Sequence, residues 1–289
     1  MNTCTLWTPG GRLVQTFVWN ALSPRFVTNV LKRLKTVLFG TMHTTRRCVF
    51  KLSTVDEVGK LHAMNAAIPN NCARVYAAIP VSNIILLILE RKNGVLLHDT
   101  MISTVSELLH TTYSQSDLVH VLYQCAYMLH HLQGKIRGFS HNDLKSDNIL
   151  LTPWTGQGEY CPPFAIVFID AETVRGETLS TTFMDGVDEK VLSMFALDGD
   201  HCEWLDFHLI LLEICYAVKK KQPTWHDAFF AVVHSIAPDD LLLTHGDGGQ
   251  FVTAFNRLTI EGRKRTRECK SLEETIRILR AALPEGAHV

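Results

Sequence analysis

Short apolar runs separated by polar turns characterise the chain up to about residue 90. Four of these runs predict β-strands, at residues 36–39, 48–52, 75–78 and 84–90. The first two flank the polar, glycine-containing stretch 40–47 and predict a hairpin. Pro80 and Ser82-Asn83 predict a turn between the last two. A helix is predicted from Asp56 to about Ala67, where Pro69 and the residues after it end the pattern.

The spacing of apolar residues becomes helical after the polar break at residues 90–94. Helices are predicted over residues 118–132, 204–218, 225–234 and 271–282, and short strands over residues 149–151 and 165–169. The last helix opens with a capping-box pattern, Ser271 followed by Glu274. The predicted fold is therefore α+β and two-lobed, with a small β-rich lobe at residues 1–91 and a larger helical lobe at residues 92–289.

Composition limits the classes of protein that fit this pattern. Hydrophobic residues make up 46% of the 289 positions, enough to bury a core, and the net charge of −1 does not favour nucleic acid or an acidic membrane as partner. The longest apolar run, Ile84–Leu89, is too short to cross a bilayer, and the N-terminus lacks a secretory pattern. The eight cysteines form no CxxC pair, which predicts reduced thiols and an intracellular protein, cytoplasmic or nuclear.

The segment His141–Asn148 places a carboxylate, an amine and an amide on one short stretch of chain. Transfer of a γ-phosphoryl group needs positioned metal ions, a cation near the phosphates and an acceptor for the hydroxyl proton. Asp143, Lys145 and Asn148 have the chemical character for these tasks, and their order and spacing match the kinase signature H-R-D-x-K-x-x-N. The apolar residues 149–151 that follow predict the strand that anchors the loop.

This loop resembles the catalytic loop of the eukaryotic protein kinase superfamily, with Asn142 in place of the usual arginine. The resemblance implies a protein-kinase-like fold, with ATP and Mg²⁺ as cofactors. It implies Asp143 as the catalytic base and Lys145 beside the transferring phosphate. Asn148 would hold a magnesium ion, and His141 would brace the loop.

An apolar strand at residues 165–169 delivers Asp170 at its end, where a carboxylate can bridge a hard cation to phosphates. The sequence Asp170-Ala171-Glu172 resembles the D-F-G metal motif of the same superfamily. The metal-binding aspartate is kept, whereas the phenylalanine and the glycine are replaced. The resemblance implies a second metal ligand at Asp170 but no movable phenylalanine switch.

Three further segments resemble kinase elements. The strand that ends in Lys51 resembles V-A-I-K, whose lysine pairs with the α- and β-phosphates, and Glu57 is its candidate partner although only six residues separate them. The strand at residues 84–90 resembles the one that leads into the hinge, with Leu89 as gatekeeper and the backbone of Glu90 to Lys92 binding adenine. Asp206 resembles the helix aspartate that braces the catalytic loop, a structural role.

Two family features are missing. The glycine-rich phosphate loop should fall near residues 23–30, which contain no glycine, and Gly10-Gly11 lies too far upstream to replace it without an extra strand. No A-P-E motif follows Asp170, and residues 153–163 predict a loop insertion. Divergence with intact catalytic residues is similar to that of kinases encoded by large DNA viruses such as herpesviruses, which would place the protein in a host cell.

Three functions remain open. A Ser/Thr protein kinase that phosphorylates a protein substrate fits Lys145 best. A small-molecule kinase of the aminoglycoside or choline type shares the H-x-D-x-x-x-x-N loop and the following Ile-Asp strand, but tends to have another residue at the lysine position. A pseudokinase acting as a binding module would explain the missing glycines, whereas the retained polar residues oppose it. The substrate, the activating event and the oligomeric state do not follow from the sequence.

Overall fold

A computed structural model describes residues 3–9, 11–20, 23–34, 37–42, 46–97, 115–153, 164–179, 205–221, 226–237 and 269–283. Over these ranges the fold is α+β. The chain divides into two compact units, Met1–Asn93 and Gly94–Val289.

The first unit is built on a six-stranded antiparallel sheet with the order β2-β1-β3-β4-β6-β5. Its strands are β1 (Thr3–Trp7), β2 (Leu13–Val18), β3 (Leu38–Met42), β4 (Arg46–Ser53), β5 (Val75–Val81) and β6 (Ile84–Glu90). Two helices accompany the sheet, α1 (Ser23–Leu34) and α2 (Val55–Ala67). The hairpin predicted from the polar stretch 40–47 is present as β3 and β4.

Alternation of apolar positions along the strands forms the core of this unit. Cys4 and Leu6 of β1 and Phe50 of β4 are fully buried on the same side, together with Val27 and Leu31 of α1. Val27 and Leu31 lie four residues apart, so that both face the sheet.

Gly40 allows two strands of the core to approach closely. A Cβ atom at this position would lie 2.4 Å from the Phe50 ring and 3.0 Å from the carbonyl oxygen of Thr5. Any side chain at residue 40 would therefore displace the buried ring or the strand beside it.

Pro80 lies inside β5 rather than in the turn that follows, contrary to the sequence prediction. β5 is an edge strand of the sheet, where the missing N–H of a proline leaves no ladder bond unmade. The turn itself is made by Ser82, whose φ of 59° is left-handed, and Asn83.

The second unit contains a three-stranded antiparallel sheet of order β7-β8-β9 and four described helices. The elements are β7 (Val95–Leu96), α3 (Gln115–Lys135), β8 (Ile149–Thr152), β9 (Ala165–Phe168), α4 (Leu205–Lys221), α5 (His226–His234) and α6 (Leu272–Ala281). α3 packs against α4, α6 and β9. The predicted cap of the last helix is confirmed, because the N–H of Glu274 donates to Oγ of Ser271 at 3.2 Å.

The loop insertion predicted at residues 153–163 falls almost entirely outside the described ranges. Within the described ranges, no helix combines the length and apolar character needed to cross a membrane.

Candidate functional site

Asp206, in the first turn of α4, holds the beginning of the loop 141–148. Its two carboxylate oxygens accept the backbone N–H groups of His141 at 2.5 Å and of Asn142 at 2.7 Å. The carboxylate is 1% exposed, and hydrogen bonds to a buried charged acceptor are stronger than neutral ones. Asp206 therefore fixes backbone rather than touching a reacting group, which agrees with its predicted structural role.

Glu213 holds the same loop further along and was missed by the sequence analysis. Its carboxylate accepts both the N–H of Ser146 at 2.7 Å and the hydroxyl of Ser146 at 2.5 Å. Glu213 lies seven residues after Asp206, about two helical turns, so both carboxylates project from one face of α4. Two acidic residues seven positions apart in an otherwise apolar helix were the pattern from which Glu213 could have been predicted as a second anchor of the loop.

The loop held at these two points brings together the side chains of Asp143, Lys145 and Asn148. Lys145 Nζ lies 3.0 and 2.9 Å from the two carboxylate oxygens of Asp143. Asn148 Nδ2 donates to the carbonyl oxygen of Asp143 at 2.7 Å and to its Oδ2 at 3.0 Å. The Asp143 carboxylate is thus oriented from two sides while its side chain stays 25% exposed.

A backbone hydrogen bond joins the segment that carries Asp170, just after β9, to the loop 141–148. The N–H of Ile169 donates to the carbonyl oxygen of Asn148 at 3.0 Å, which places the two predicted metal ligands on adjoining segments. Asp170 has a φ of +66°, and Oδ1 accepts the N–H of Glu172 at 3.2 Å. Asn142 has a φ of +65°. Left-handed backbone at non-glycine residues is uncommon and concentrates at functional sites.

The ring of His141 is enclosed within the folded loop. The side chain is fully buried and meets the ring of Phe168 edge to face at 6.0 Å. Burial lowers the pKa of His141 despite the opposing effect of Asp206, Asp170 and Asp143. Neither ring nitrogen has a hydrogen-bond partner among the described residues. The neutral ring is a packing element, as predicted.

The chain that follows Asp170 returns alongside the loop and is bonded to it. Thr173 Oγ1 donates to the carbonyl oxygen of His141 at 2.8 Å, and Asn142 Nδ2 donates to the carbonyl oxygen of Thr173 at 2.9 Å. Ser140 and Arg175 exchange backbone hydrogen bonds of 3.2 and 2.8 Å. Asn142 thus links the loop to residues 173–175 with a neutral amide at the position where the kinase signature has arginine.

Asn148 and Asp170 fit a magnesium ion better than a metal that needs a full protein cage. The described residues include no group of three or more His, Cys, Asp and Glu side chains that could hold a metal. Magnesium usually takes one or two protein oxygens and completes its shell with phosphate and water. The amide nitrogen of Asn148 is used twice within the loop, so its carbonyl oxygen is the atom suited to a cation.

In the first unit, Lys51 and Glu57 form the ion pair that was suggested by sequence, with Nζ 2.8 Å from Oε1. Ser53 Oγ donates to the other carboxylate oxygen at 2.6 Å. The short spacing is possible because β4 ends at Ser53, Thr54 caps α2, and Glu57 already lies in the first turn of that helix. Glu57 is 2% exposed and Lys51 19% exposed, so the lysine keeps access to solvent.

The predicted hinge consists of Glu90, the last residue of β6, and of Arg91 and Lys92. The backbone N–H groups of the first two are already hydrogen-bonded. The N–H of Glu90 donates to the carbonyl of Arg74 at 2.8 Å, and the N–H of Arg91 donates to the carbonyl of Arg47 at 3.2 Å. Of these three residues, Lys92 is the one whose N–H has no hydrogen-bond acceptor among the described residues. Its ammonium group pairs with the carboxylate of Glu90 at 3.0 Å. Leu89 is partly buried in β6. These two N–H groups are thus engaged within the sheet, and adenine binding by the backbone of residues 90–92 stays a prediction.

The window where sequence spacing expects a phosphate loop is occupied by α1, which begins at Ser23. The turn that contains Gly11 precedes β2, so that β2 and α1 both lie between this turn and β3 along the chain. β2 is the extra strand without which Gly10-Gly11 could not replace the phosphate loop. Strand pairing places Trp7 opposite Phe39, and Leu38 opposite Phe50. The turn after β1, which contains Gly11 at a φ of +78°, therefore lies at the same end of the sheet as Lys51.

No family model matches this chain, and no curated protein matches it. Lys51, Glu57 and the residues 89–92 belong to the first unit, while the loop 141–148 and Asp170 belong to the second.

Proposed function

We propose that the protein is an ATP- and Mg²⁺-dependent phosphotransferase of the protein-kinase superfamily, acting on a serine or threonine hydroxyl of a protein substrate. The observation that carries this proposal is the oriented set of Asp143, Lys145 and Asn148 on one loop fixed by two helix carboxylates. Because the loop 141–148 resembles the catalytic loop of protein kinases, the proposal includes a protein-kinase-like, two-lobed fold.

Asp143 is the general base in this mechanism. Its partly exposed carboxylate accepts the proton of the substrate hydroxyl as the hydroxyl oxygen bonds to the γ-phosphorus, while the bond from that phosphorus to the β,γ-bridging oxygen breaks and ADP leaves. Lys145, already 2.9 Å from Asp143, lies where it can donate to the transferring phosphoryl group. Asn148 and Asp170 would hold magnesium, which would supply neutralisation of the phosphate charge when bound. The fixed loop supplies positioning, since phosphoryl transfer requires little covalent help from protein.

The first unit supplies the nucleotide contacts in this proposal. Lys51, oriented by the buried carboxylate of Glu57, is the cation for the α- and β-phosphates. Leu89 and the backbone at Lys92 would contact the base, and the turn closed by Thr8, Gly11 and Arg12 would substitute for the missing glycine-rich loop. The turn is closed by the N–H of Gly11, which donates to the carbonyl of Thr8 at 2.9 Å.

A second candidate is a binding module that has lost catalysis. The helix α1 in the window of the phosphate loop favours it, because a helix with side chains cannot wrap backbone N–H groups around phosphates as a glycine loop does. A small-molecule kinase is a third candidate, which Asp143 and Asn148 suit but Lys145 disfavours.

Transfer of radiolabel from ATP with Mg²⁺ to a generic protein substrate and to a panel of small alcohols separates these functions. Label on protein should fall at least ~100-fold in Asp143→Ala, the typical value of a lost general base. Asp147→Ala removes an exposed carboxylate of the same loop and is the matched control, which should retain activity.

Label on small alcohols alone would replace the protein-kinase proposal with a small-molecule kinase. Absence of label from both, together with an unchanged melting temperature in Mg-ATP, would support the binding module.

A further inference from the structure

The sheet of the first unit has two edges, formed by β2 on one side and by β5 on the other. An edge strand presents backbone N–H and C=O groups that can pair with another extended chain, and proteins block such edges with proline or charged side chains. β5 contains Pro80, which has no N–H to offer, and Arg74 directly precedes the strand. The edge at β5 is therefore protected against further pairing.

The edge strand β2 has neither of these protections. It contains no proline and no charged residue, and its valine, threonine and phenylalanine residues favour extended structure. Four of its six side chains are exposed, among them Leu13 at 57% and Val18 at 47%. Among the described strands, β2 pairs with β1 alone. This edge is therefore suited to an additional strand that is itself uncharged and partly apolar.

A shift in the pairing of β2 with β1 decides which face of the sheet its side chains occupy. Thr16 lies opposite Thr5, to which its Oγ1 donates at 3.2 Å. The register then shifts by one residue, so that Leu13 lies opposite Trp7. Because alternate residues of β1 share a face, Leu13, Thr16 and Val18 all project from the side that carries Thr5. Both exposed apolar side chains of β2 are thus on one face.

This arrangement makes the edge complementary to itself. Directly opposite residues of antiparallel strands share a face, so a two-fold axis perpendicular to the sheet can set Thr16 against Thr16 of a second copy. Val18 of each copy then lies opposite Leu13 of the other. Residues 16–18 of the second copy meet the shifted half of β2 just as residues 5–7 of β1 do on its inner side. No pair of like charges is created, because β2 carries none.

We propose that β2 pairs with β2 of a second copy of this chain and joins the two six-stranded sheets into one continuous antiparallel sheet. In such strand addition the backbone provides affinity, and alternate side chains select the partner. A charged segment would find no opposite charge on β2, whereas β2 itself supplies apolar side chains to cover Leu13 and Val18. The pairing is independent of the proposed phosphotransfer, because residues 13–18 include none of the groups assigned to catalysis or nucleotide binding.

Sedimentation equilibrium of the full chain over a range of concentrations tests the proposal, and the mass of two chains is expected at the upper end. Thr16→Lys should weaken association about 10-fold or more, because it sets two ammonium groups directly opposite each other. Ala78→Lys adds the same charge at an exposed position of the other edge strand and should change association less than about 2-fold. Melting curves establish that each variant is folded.

A charge exchange tests the pairing of Thr16 with its own copy. Thr16→Glu alone should weaken association as Thr16→Lys does. An equimolar mixture of the two variants should associate more tightly than either alone, because opposite charges then meet across the two-fold axis. In the wild type, hydrogen exchange of amides in residues 13–18 should slow as the concentration rises.

Three results would overturn the proposal. The first is a wild type that stays monomeric at every concentration. The second is association that Thr16→Lys leaves unchanged, or that Ala78→Lys weakens to the same extent. The third is a mixture of the Thr16→Lys and Thr16→Glu proteins that remains as dissociated as each variant alone.

Discussion

At the scale of single residues, Ser146 and Glu213 are the least predictable part of the site. Ser146 has an N–H and a hydroxyl, and both donate to the one buried carboxylate of Glu213. The sequence motif identified Asp143, Lys145 and Asn148 because their spacing is local to the loop. Glu213 is 67 residues away from Ser146, and only folding of α4 against the loop brings it there.

Glu213→Leu should lower kcat about 10-fold and leave KM for ATP within about 2-fold, because the carboxylate positions Asp143 through the loop without a nucleotide contact. Stability should fall by about 1–3 kcal/mol as two buried donors lose their acceptor. Glu213→Gln, which keeps one acceptor oxygen, should restore part of kcat. Steady-state kinetics and urea denaturation measure both effects, with the exposed Glu273→Gln as control. Unchanged kcat in Glu213→Leu would refute the positioning role.

Asp170→Asn should abolish magnesium-dependent nucleotide binding, since the hard cation loses its anionic ligand. Isothermal titration of Mg-ATP checks this expectation, and Glu172→Gln, a carboxylate two residues further on, is the matched control. Unaltered Mg-ATP affinity in Asp170→Asn would remove this residue from the metal site.

At the scale of elements, strands and helices were predicted most accurately where burial imposes a regular spacing of apolar residues. β6 has consecutive apolar residues and α3 has an unbroken helical spacing, so both were found within a few residues of their ends. β1, β2 and α1 were missed. β2 is half exposed and lacks a strong alternation, and α1 buries only Val27, Leu31 and two polar residues. Partial burial weakens the pattern on which such predictions depend.

Gly11 tests whether the turn between β1 and β2 covers the nucleotide. Gly11→Ala should cost about 1 kcal/mol, because alanine resists the left-handed φ of +78°, and it should raise KM for ATP more than it lowers kcat. Gly59→Ala, in the middle of α2 with open space around its Cα, should instead stabilise the protein by about 0.5–1 kcal/mol. Urea denaturation and ATP titrations provide both readouts. A KM unchanged in a folded Gly11→Ala protein would exclude the turn from the nucleotide site.

At the scale of the whole molecule, buried histidines set the response to acid. Burial lowers the pKa of His120 to about 4, against a smaller opposing effect of Asp117, and lowers the pKa of His208 to about 4. His141 shifts in the same direction. The unfolded chain therefore takes up these protons near pH 6.5, before the native state does, and stability is lost as the pH falls from about 6.5 towards 4.

The expected loss at pH 5 is about 2 kcal/mol for each of His120 and His208, relative to pH 7.5. Urea denaturation at the two pH values measures it. His120→Gln should reduce the pH dependence by the contribution of one titrating group. A pH dependence identical in wild type and His120→Gln would contradict the assignment.

The hydrogen bonds that join the loop 141–148 to the segment 173–175 have a consequence for the effect of salt. These bonds join neutral hydroxyl, amide and backbone groups, and Asp206 anchors the other side of the loop from the interior. Dissolved ions screen exposed charges but scarcely affect such contacts. The attachment of the loop to residues 173–175 should therefore survive concentrated salt, so that a loss of the proposed phosphotransfer at high ionic strength would reflect weaker binding of ATP or substrate and not release of the loop.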